Sequence, residues 1–199
     1  MKLYWSPHTR SIRVLWLLEE IGCPYDRVLV DIRQGEQKRP GFDAISPLRK
    51  VPALEDDGVH VAESGAICAY LADKFIGAGL APRLDDPLRG PYQQWMYFAT
   101  GNMEPAFFQA AMNLEVPEMQ AGWGSFDRCI CAIENAVSEQ NWLLGARFSA
   151  ADILMVTSLY YGMKIMNIVP EKPAFLAYLS RAAARPAFQR AQAIDSGAA

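Results

Sequence analysis

The chain has 199 residues, 51% of them hydrophobic and 21% charged, an ordinary globular composition with room for one large or two small domains. Its net charge of −3 gives no electrostatic case for binding nucleic acid or an anionic membrane. The opening Met-Lys-Leu-Tyr-Trp-Ser-Pro-His holds no apolar leader core, no apolar run is long enough to span a bilayer, and four cysteines with two histidines complete no metal spacing. The expectation is a cytoplasmic protein with reduced, buried cysteines and no metal.

Residues 2–5 form a short apolar run, read as a first strand. Ser6-Pro7-His8-Thr9 is a loop, and Thr9 or Ser11 is the candidate cap of the helix that follows. That helix carries Val14, Leu17, Leu18 and Ile21 at helical spacing and ends at Gly22 and Pro24. Its charges oppose its dipole, with Arg10 and Arg13 in the first turn and Glu19 and Glu20 in the last. The cationic start suits a nearby anion; equally, both arginines pair with local carboxylates or lie in solvent. Residues 25–30 read as a second strand, 31–39 as a polar loop with weak helical character, and 40–46 as one further turn.

The stretch from Leu48 to Ile67 carries the strongest local pattern. Asp57-Gly58 between two short β-favouring runs signals a hairpin. Pro52 opens the first run and has no N–H for a ladder, so this strand starts at an edge or bend. Val51 is pushed toward an extended backbone, which a peptide laid alongside could pair with. The second run ends in Glu63-Ser64, where a helical pattern over residues 64–75 begins. Ser64 can cap that helix, the free N–H groups at its start attract a carboxylate, and Glu63 beside them can hold an ammonium. Taken alone, the same residues also describe a plain hairpin followed by a capped helix.

Strand, helix, strand, short helix, hairpin, helix makes a mixed four-stranded α/β domain, with a right-handed crossover joining a parallel pair. Gly77, Gly79, Pro82 and Pro87 mark residues 76–87 as a linker. Only helices are expected beyond it. One covers residues 88–112, kinked or broken by Pro105, and Pro117 can start the next, whose buried face is Phe126, Ile130, Ile133 and Val137. After an apolar link over 142–145, Ser149 and Asp152 form a capping box with Phe148 and Ile153 as its hydrophobic staple. A last helix covers 173–184, and the tail after Asp195 frays. Met103, Phe107, Phe108 and Met112 make one apolar stripe, and Tyr160, Tyr161, Met163 and Met166 another. Such stripes are usually core, although methionine also suits a pocket of varied shape.

The residues 3–16, the run Ser46-Pro47-Leu48-Arg49-Lys50-Val51-Pro52, the pair Glu63-Ser64 and the Ser149/Asp152 box stand in an order and spacing that resemble the cytosolic glutathione S-transferase family, bacterial type. The resemblance covers nearly the whole chain. It implies α/β plus all-α architecture: a thioredoxin-like βαβαββα domain over residues 1–77, a linker over 78–87 and an all-α domain over 88–199. It also implies a homodimer, an active site near the domain junction and a cis Val51–Pro52 bond. Glutathione is the implied co-substrate, its cysteinyl unit pairing with the Val51 backbone beside Pro52. Its γ-glutamyl end falls to Glu63 and Ser64, its glycine carboxylate near Lys50, and Thr9 and Arg10 at the same site.

The chemistry such an enzyme needs is a thiolate. A free thiol of pKa about 8.5 is only a few per cent ionised at neutral pH. A helix start and nearby cations lower that pKa to roughly 3.5–7.5, and a hydroxyl aimed at the sulfur stabilises the anion further. Matching backwards from Arg13 and Val14 places Thr9 where many relatives carry serine; Ser6 and Ser11 are rivals. Threonine keeps the hydroxyl and adds a methyl that restricts its rotamer. No cysteine precedes Cys23, which disfavours thiol–disulfide reductase chemistry, and Trp5 stands where some relatives have tyrosine. His8 reads as an exposed loop residue. Met103, Phe107 and Tyr160 are the candidates for the pocket of a small hydrophobic electrophile. The competing readings are a non-catalytic protein of the same fold and, ranked lower, a glutathione-dependent isomerase. The isomerase subclass carries Ser-Ser-Cys where this chain has His8-Thr9-Arg10.

Overall fold

A computed structural model describes residues 1–197. It contains β1 (Lys2–Trp5), α1 (Ser11–Ile21), β2 (Asp26–Leu29), β3 (Ala53–Asp56), β4 (Val59–Ala62) and α2 (Ser64–Lys74), then α3 (Arg89–Tyr97), α4 (Met103–Met112), α5 (Phe126–Ser138), α6 (Ala150–Tyr160), α7 (Pro173–Ala183) and α8 (Pro186–Asp195). The sheet order is β2-β1-β3-β4, with β1 and β2 parallel and the other pairs antiparallel. Side chains alternate as a half-buried sheet requires: Leu3 and Trp5 are buried, while Lys2 and Tyr4 both reach the Glu55 carboxylate at 3.0 and 2.9 Å. Asp57 and Gly58 have φ of 49° and 83°, the positive pair that a two-residue hairpin turn demands.

Two compact units emerge. One is Met1–Ala78 together with the chain from Arg185 onward, and the other is Gly79–Ala184. This differs at both ends from the division into 1–77, 78–87 and 88–199. The segment read as a linker packs into the second unit: Leu80 and Ala81 are buried, the Ala150 N–H donates to the Leu80 carbonyl at 2.8 Å, and Arg147 pairs with Asp86 at 2.6 Å. The end of the chain carries an unexpected helix, α8, with Pro186 in its first turn, and it packs on α1. The tail expected to fray starts after Asp195; residues 196–197 form a turn, and 198–199 lie outside the described residues.

α8 explains α1. Every residue from Arg13 to Leu18 is buried, more than one face of a helix. α2 covers one side and α8 another. The consecutive Val-Leu-Trp-Leu-Leu is therefore the pattern of a helix enclosed on several sides. The acidic last turn is explained as well. Arg185 forks onto both Glu20 oxygens at 2.6 and 2.8 Å, Arg190 reaches Glu19 at 2.8 Å, and Phe188 meets Trp16 edge-on at 4.8 Å. Glu19 and Glu20 stand against the dipole of their own helix because arginines of a distant segment meet them there.

Helices build the second unit. A π-helical turn, Phe98–Asn102, separates α3 from α4 just ahead of Pro105. Proline offers no N–H to the carbonyl four residues back, and the wider turn relieves the crowding. Pro117 lies in a loop rather than a helix, and Ser125 caps α5 instead, accepting from the Arg128 N–H at 3.3 Å. Cys129, Ile130, Ile133 and Val137 are the buried face of α5, with Phe126 half-buried. Ser149 caps α6 in a capping box with Asp152, whose carboxylate also accepts from the Leu143 N–H at 2.9 Å and the Tyr178 hydroxyl at 2.7 Å. Asp152 is thereby the buried polar tie between the apolar link, α6 and α7.

Candidate functional site

Strand register brings the candidate residues to one end of the sheet. Ala53, the first residue of β3, pairs with Tyr4 near the end of β1 and with Ala62 at the end of β4. Going outward from those pairs, the chain reaches Ser6 after β1, Val51–Pro52 before β3, and Glu63-Ser64 after β4. This is also the carboxyl end of the parallel pair β1 and β2, where open α/β sheets bind ligands.

Val51–Pro52 is cis, with Pro52 buried and Val51 half-buried just ahead of the first ladder pair. Behind it, Lys50 is exposed and its N–H donates to the Ser46 hydroxyl at 3.1 Å. The hairpin is fastened to α2 at its far end: buried Asp56 accepts from the Tyr70 hydroxyl at 2.8 Å and pairs with Lys74. The Lys74 ammonium holds the Asp56 carboxyl below the usual carboxylate range.

The start of α2 differs from the expected cap. Glu63, not Ser64, is the N-cap, and it makes no side-chain capping bond. Its φ of 68° and ψ of 118° form a conformation that costs a side-chain-bearing residue of order 1–3 kcal/mol. Its side chain is exposed beside the open N–H groups of the first turn. Ser64 is instead the first helical residue, 7% exposed, and its hydroxyl accepts from Arg13 Nη1 at 3.0 Å. Arg13 is itself buried, so the cationic start of α1 is turned inward onto α2. Arg10, the other arginine of this turn, is exposed at the N-cap position of α1.

The three rival hydroxyls form one cluster. The Ser6 N–H donates to Ser11 Oγ at 3.3 Å, the Ser11 N–H donates to Thr9 Oγ1 at 3.1 Å, and the two side-chain oxygens of Thr9 and Ser11 are 2.9 Å apart. Thr9 Oγ1 also lies 2.7 Å from the Ser6 carbonyl, so its single proton goes there while Ser11 donates to Thr9. Burial separates the three. Ser11 has no exposed surface and Ser6 only 5%, whereas Thr9 is half-exposed. Ser11 and Ser6 are thus enclosed in the loop, and Thr9 is the one of the three hydroxyls with substantial exposure. Thr9 is no N-cap in the ordinary sense. Arg10 occupies that position, and Thr9 serves the helix by accepting the Ser11 N–H.

Burial pushes the Cys68 thiol up to about 12 and raises Cys23 and Cys129. Cys131 is exposed, against the expectation of buried cysteines throughout. Among the described residues no three His, Cys, Asp or Glu side chains gather as a metal site, and no helix is long and apolar enough to cross a membrane. The stripes of the second unit divide by burial. Met103 has no exposed surface and Phe107 only 5%, because Phe107 packs against Gly162, where an added Cβ would lie 2.7 Å from its ring. As placed, these two belong to the core rather than to a pocket wall. Tyr160, Phe108 and Met112 are 52%, 60% and 58% exposed.

Residues 1–73 match the glutathione S-transferase N-terminal domain and residues 123–186 the C-terminal domain. The chain is 32% identical over 171 residues to glutathione S-transferase hmp2 of Hypomyces subiculosus, covering 77% of this chain and 78% of that one. It is 30% identical over 164 residues to disulfide-bond oxidoreductase YfcG of Escherichia coli, covering 76% and 75%. Among solved structures, a sphingomonad glutathione S-transferase complexed with glutathione superposes with a TM-score of 0.79 at 27% identity, covering 98% and 99%. On these matches the chain belongs to the glutathione S-transferase family and is a glutathione transferase that uses glutathione as co-substrate.

Proposed function

We propose that the protein ionises the glutathione thiol and directs it at small apolar electrophiles. The observation that carries this reading is the strained, exposed Glu63 at the open start of α2, at the same sheet end as the cis Val51–Pro52 bond and the half-exposed Thr9. Val51 pairs with the cysteinyl backbone, Glu63 takes the ammonium, and the first-turn N–H groups beside Ser64 take the γ-glutamyl carboxylate. Lys50 and Arg10, both exposed cations, attract the remaining carboxylate. Thr9 turns its proton from the Ser6 carbonyl to the sulfur and so favours the thiolate. Of Met103, Phe107 and Tyr160, Tyr160 is the one that is exposed. The protein acts in the cytoplasm as a homodimer, in detoxification, as the family resemblance implies.

Retention on immobilised glutathione together with conjugation of an activated aryl halide tests the proposal, and loss of both removes it. A second reading, exchange of a disulfide with bound glutathione, is favoured by the similarity to the oxidoreductase. No cysteine stands in the loop after β1, at the site end of the sheet, so the thiolate is that of glutathione itself in that case too. Turnover of a hydroxyethyl disulfide exceeding that of the aryl halide selects it.

A further inference from the structure

A carboxylate from the far end of the chain is seated on the first loop. Asp195 closes α8, and its side chain is 13% exposed. Both of its oxygens lie 3.2 Å from the backbone nitrogen of His8, and one lies 3.6 Å from the His8 ring Nδ1. The position is a poor one for an acid. The C-terminal end of a helix carries partial negative charge, and burial strips water from the carboxylate, which pushes its pKa up. The His8 N–H is the contact that offsets these costs. His8 itself has φ of 57°, a conformation few L residues adopt, and Thr9 follows it directly.

We propose that Asp195 is a positioning residue: α8, anchored on α1, presents the carboxylate that holds the His8 N–H and thereby sets the hydroxyl loop from Ser6 to Ser11. The inference rests on the reading of that loop as the part that activates the thiol. α8 is pinned by the Arg185–Glu20 fork, by Arg190 on Glu19 and by Phe188 on Trp16, so the acid cannot follow a moving loop. A charge-assisted bond to this N–H opposes rotation about the one residue that aims Thr9. Without it, His8 relaxes toward negative φ and Thr9 loses its alignment with the sulfur. Val51, Glu63 and Ser64 are placed by the sheet and α2 and do not depend on this contact.

Asp195→Ala is expected to lower kcat with an aryl halide about tenfold and to raise the pKa of bound glutathione, with KM for glutathione within about twofold of the parent. Asp195→Asn keeps an oxygen for the same N–H and is expected to restore most of both. An alanine variant with parental kcat and thiol titration overturns the proposal. So does a pair of variants that both lose thermal stability while the titration stays put, which is the signature of packing alone. Should the alanine variant fail to fold, amide hydrogen exchange at His8 of the unaltered protein decides: protection supports the contact, and exchange at the free-peptide rate overturns it. Thr9→Ala, measured in parallel, separates the two readings. A titration shifted by Asp195→Ala but not by Thr9→Ala overturns the route through Thr9 and with it the proposal, whereas one shifted by Thr9→Ala alone removes Asp195 and keeps Thr9.

Discussion

The candidate site has two sides, built over very different lengths of chain. Val51, Glu63 and Ser64 are joined by a single hairpin, and Ala53 pairing with Ala62 sets their spacing. The hydroxyl loop that faces them follows β1, yet the carboxylate on its backbone is Asp195, at the end of α8. The first side is rigid because a sheet and the Asp56–Lys74 tie fasten it. The second is a loop whose internal hydrogen bonds join groups already close in sequence, so its conformation depends on a partner that arrives late. The comparison teaches that, on the proposed reading, binding and activation of the thiol are separable: one is a property of local pairing, the other of tertiary anchoring.

The largest way to break this division is at Arg13, whose guanidinium reaches from α1 to the Ser64 hydroxyl. Arg13→Ala removes a buried cation and its bond, and is expected to cost about 3 kcal/mol of stability and at least tenfold in glutathione affinity. Denaturant midpoints and calorimetric titration measure the two. A double-mutant cycle with Ser64→Ala is expected to show coupling of about 1 kcal/mol; additivity would mean that Arg13 acts elsewhere.

Next in size is Thr9→Ala, expected to reduce kcat by about 10²-fold and raise the pKa of bound glutathione while leaving its affinity nearly intact. Thiolate absorbance against pH checks this. Thr9→Ser is expected to retain most of the activity, because the hydroxyl remains and only the rotamer restraint goes.

The smallest effect is expected at Glu63→Gly. Glycine adopts the observed φ of 68° without strain, which offsets the entropy it adds to the unfolded chain, so the melting temperature is expected to hold or rise slightly. Glutathione affinity is expected to fall several-fold in the same variant. Stability and binding moving in opposite directions would identify strain maintained for function; a fall in both would assign Glu63 to the fold.

Much of the first side was legible in advance. Asp57-Gly58, Pro52 and the apolar alternation around them are short-range signals, each with its own steric cause. The sequence pattern makes Ser64 the cap of α2, yet its hydroxyl faces Arg13 and Glu63 takes the cap position without capping. No periodicity announces that, because the partner is on another helix. The loop was legible only as three competing hydroxyls, and burial, a tertiary quantity, ranked them. α8 escapes the sequence reading although Pro186 opens it, because its buried face, Ala187, Ala191 and Ile194, is made mostly of alanine, a weak apolar signal. Its presence was nonetheless written into α1, in an acidic last turn and an apolar run too broad for one buried face.

The sequence by itself determined the strands, the hairpin and its turn, the capping box at Ser149 and the order of the elements. Each of these follows from backbone sterics or from hydrogen bonds between near neighbours. Tertiary structure alone decided that Arg13 turns inward to Ser64, that Met103 and Phe107 are core, that Thr9 is the accessible hydroxyl, and that Asp195 rests on His8. Those outcomes depend on which surfaces become enclosed and which charges meet across the chain. Solvent exclusion and electrostatic pairing are set only once distant segments pack.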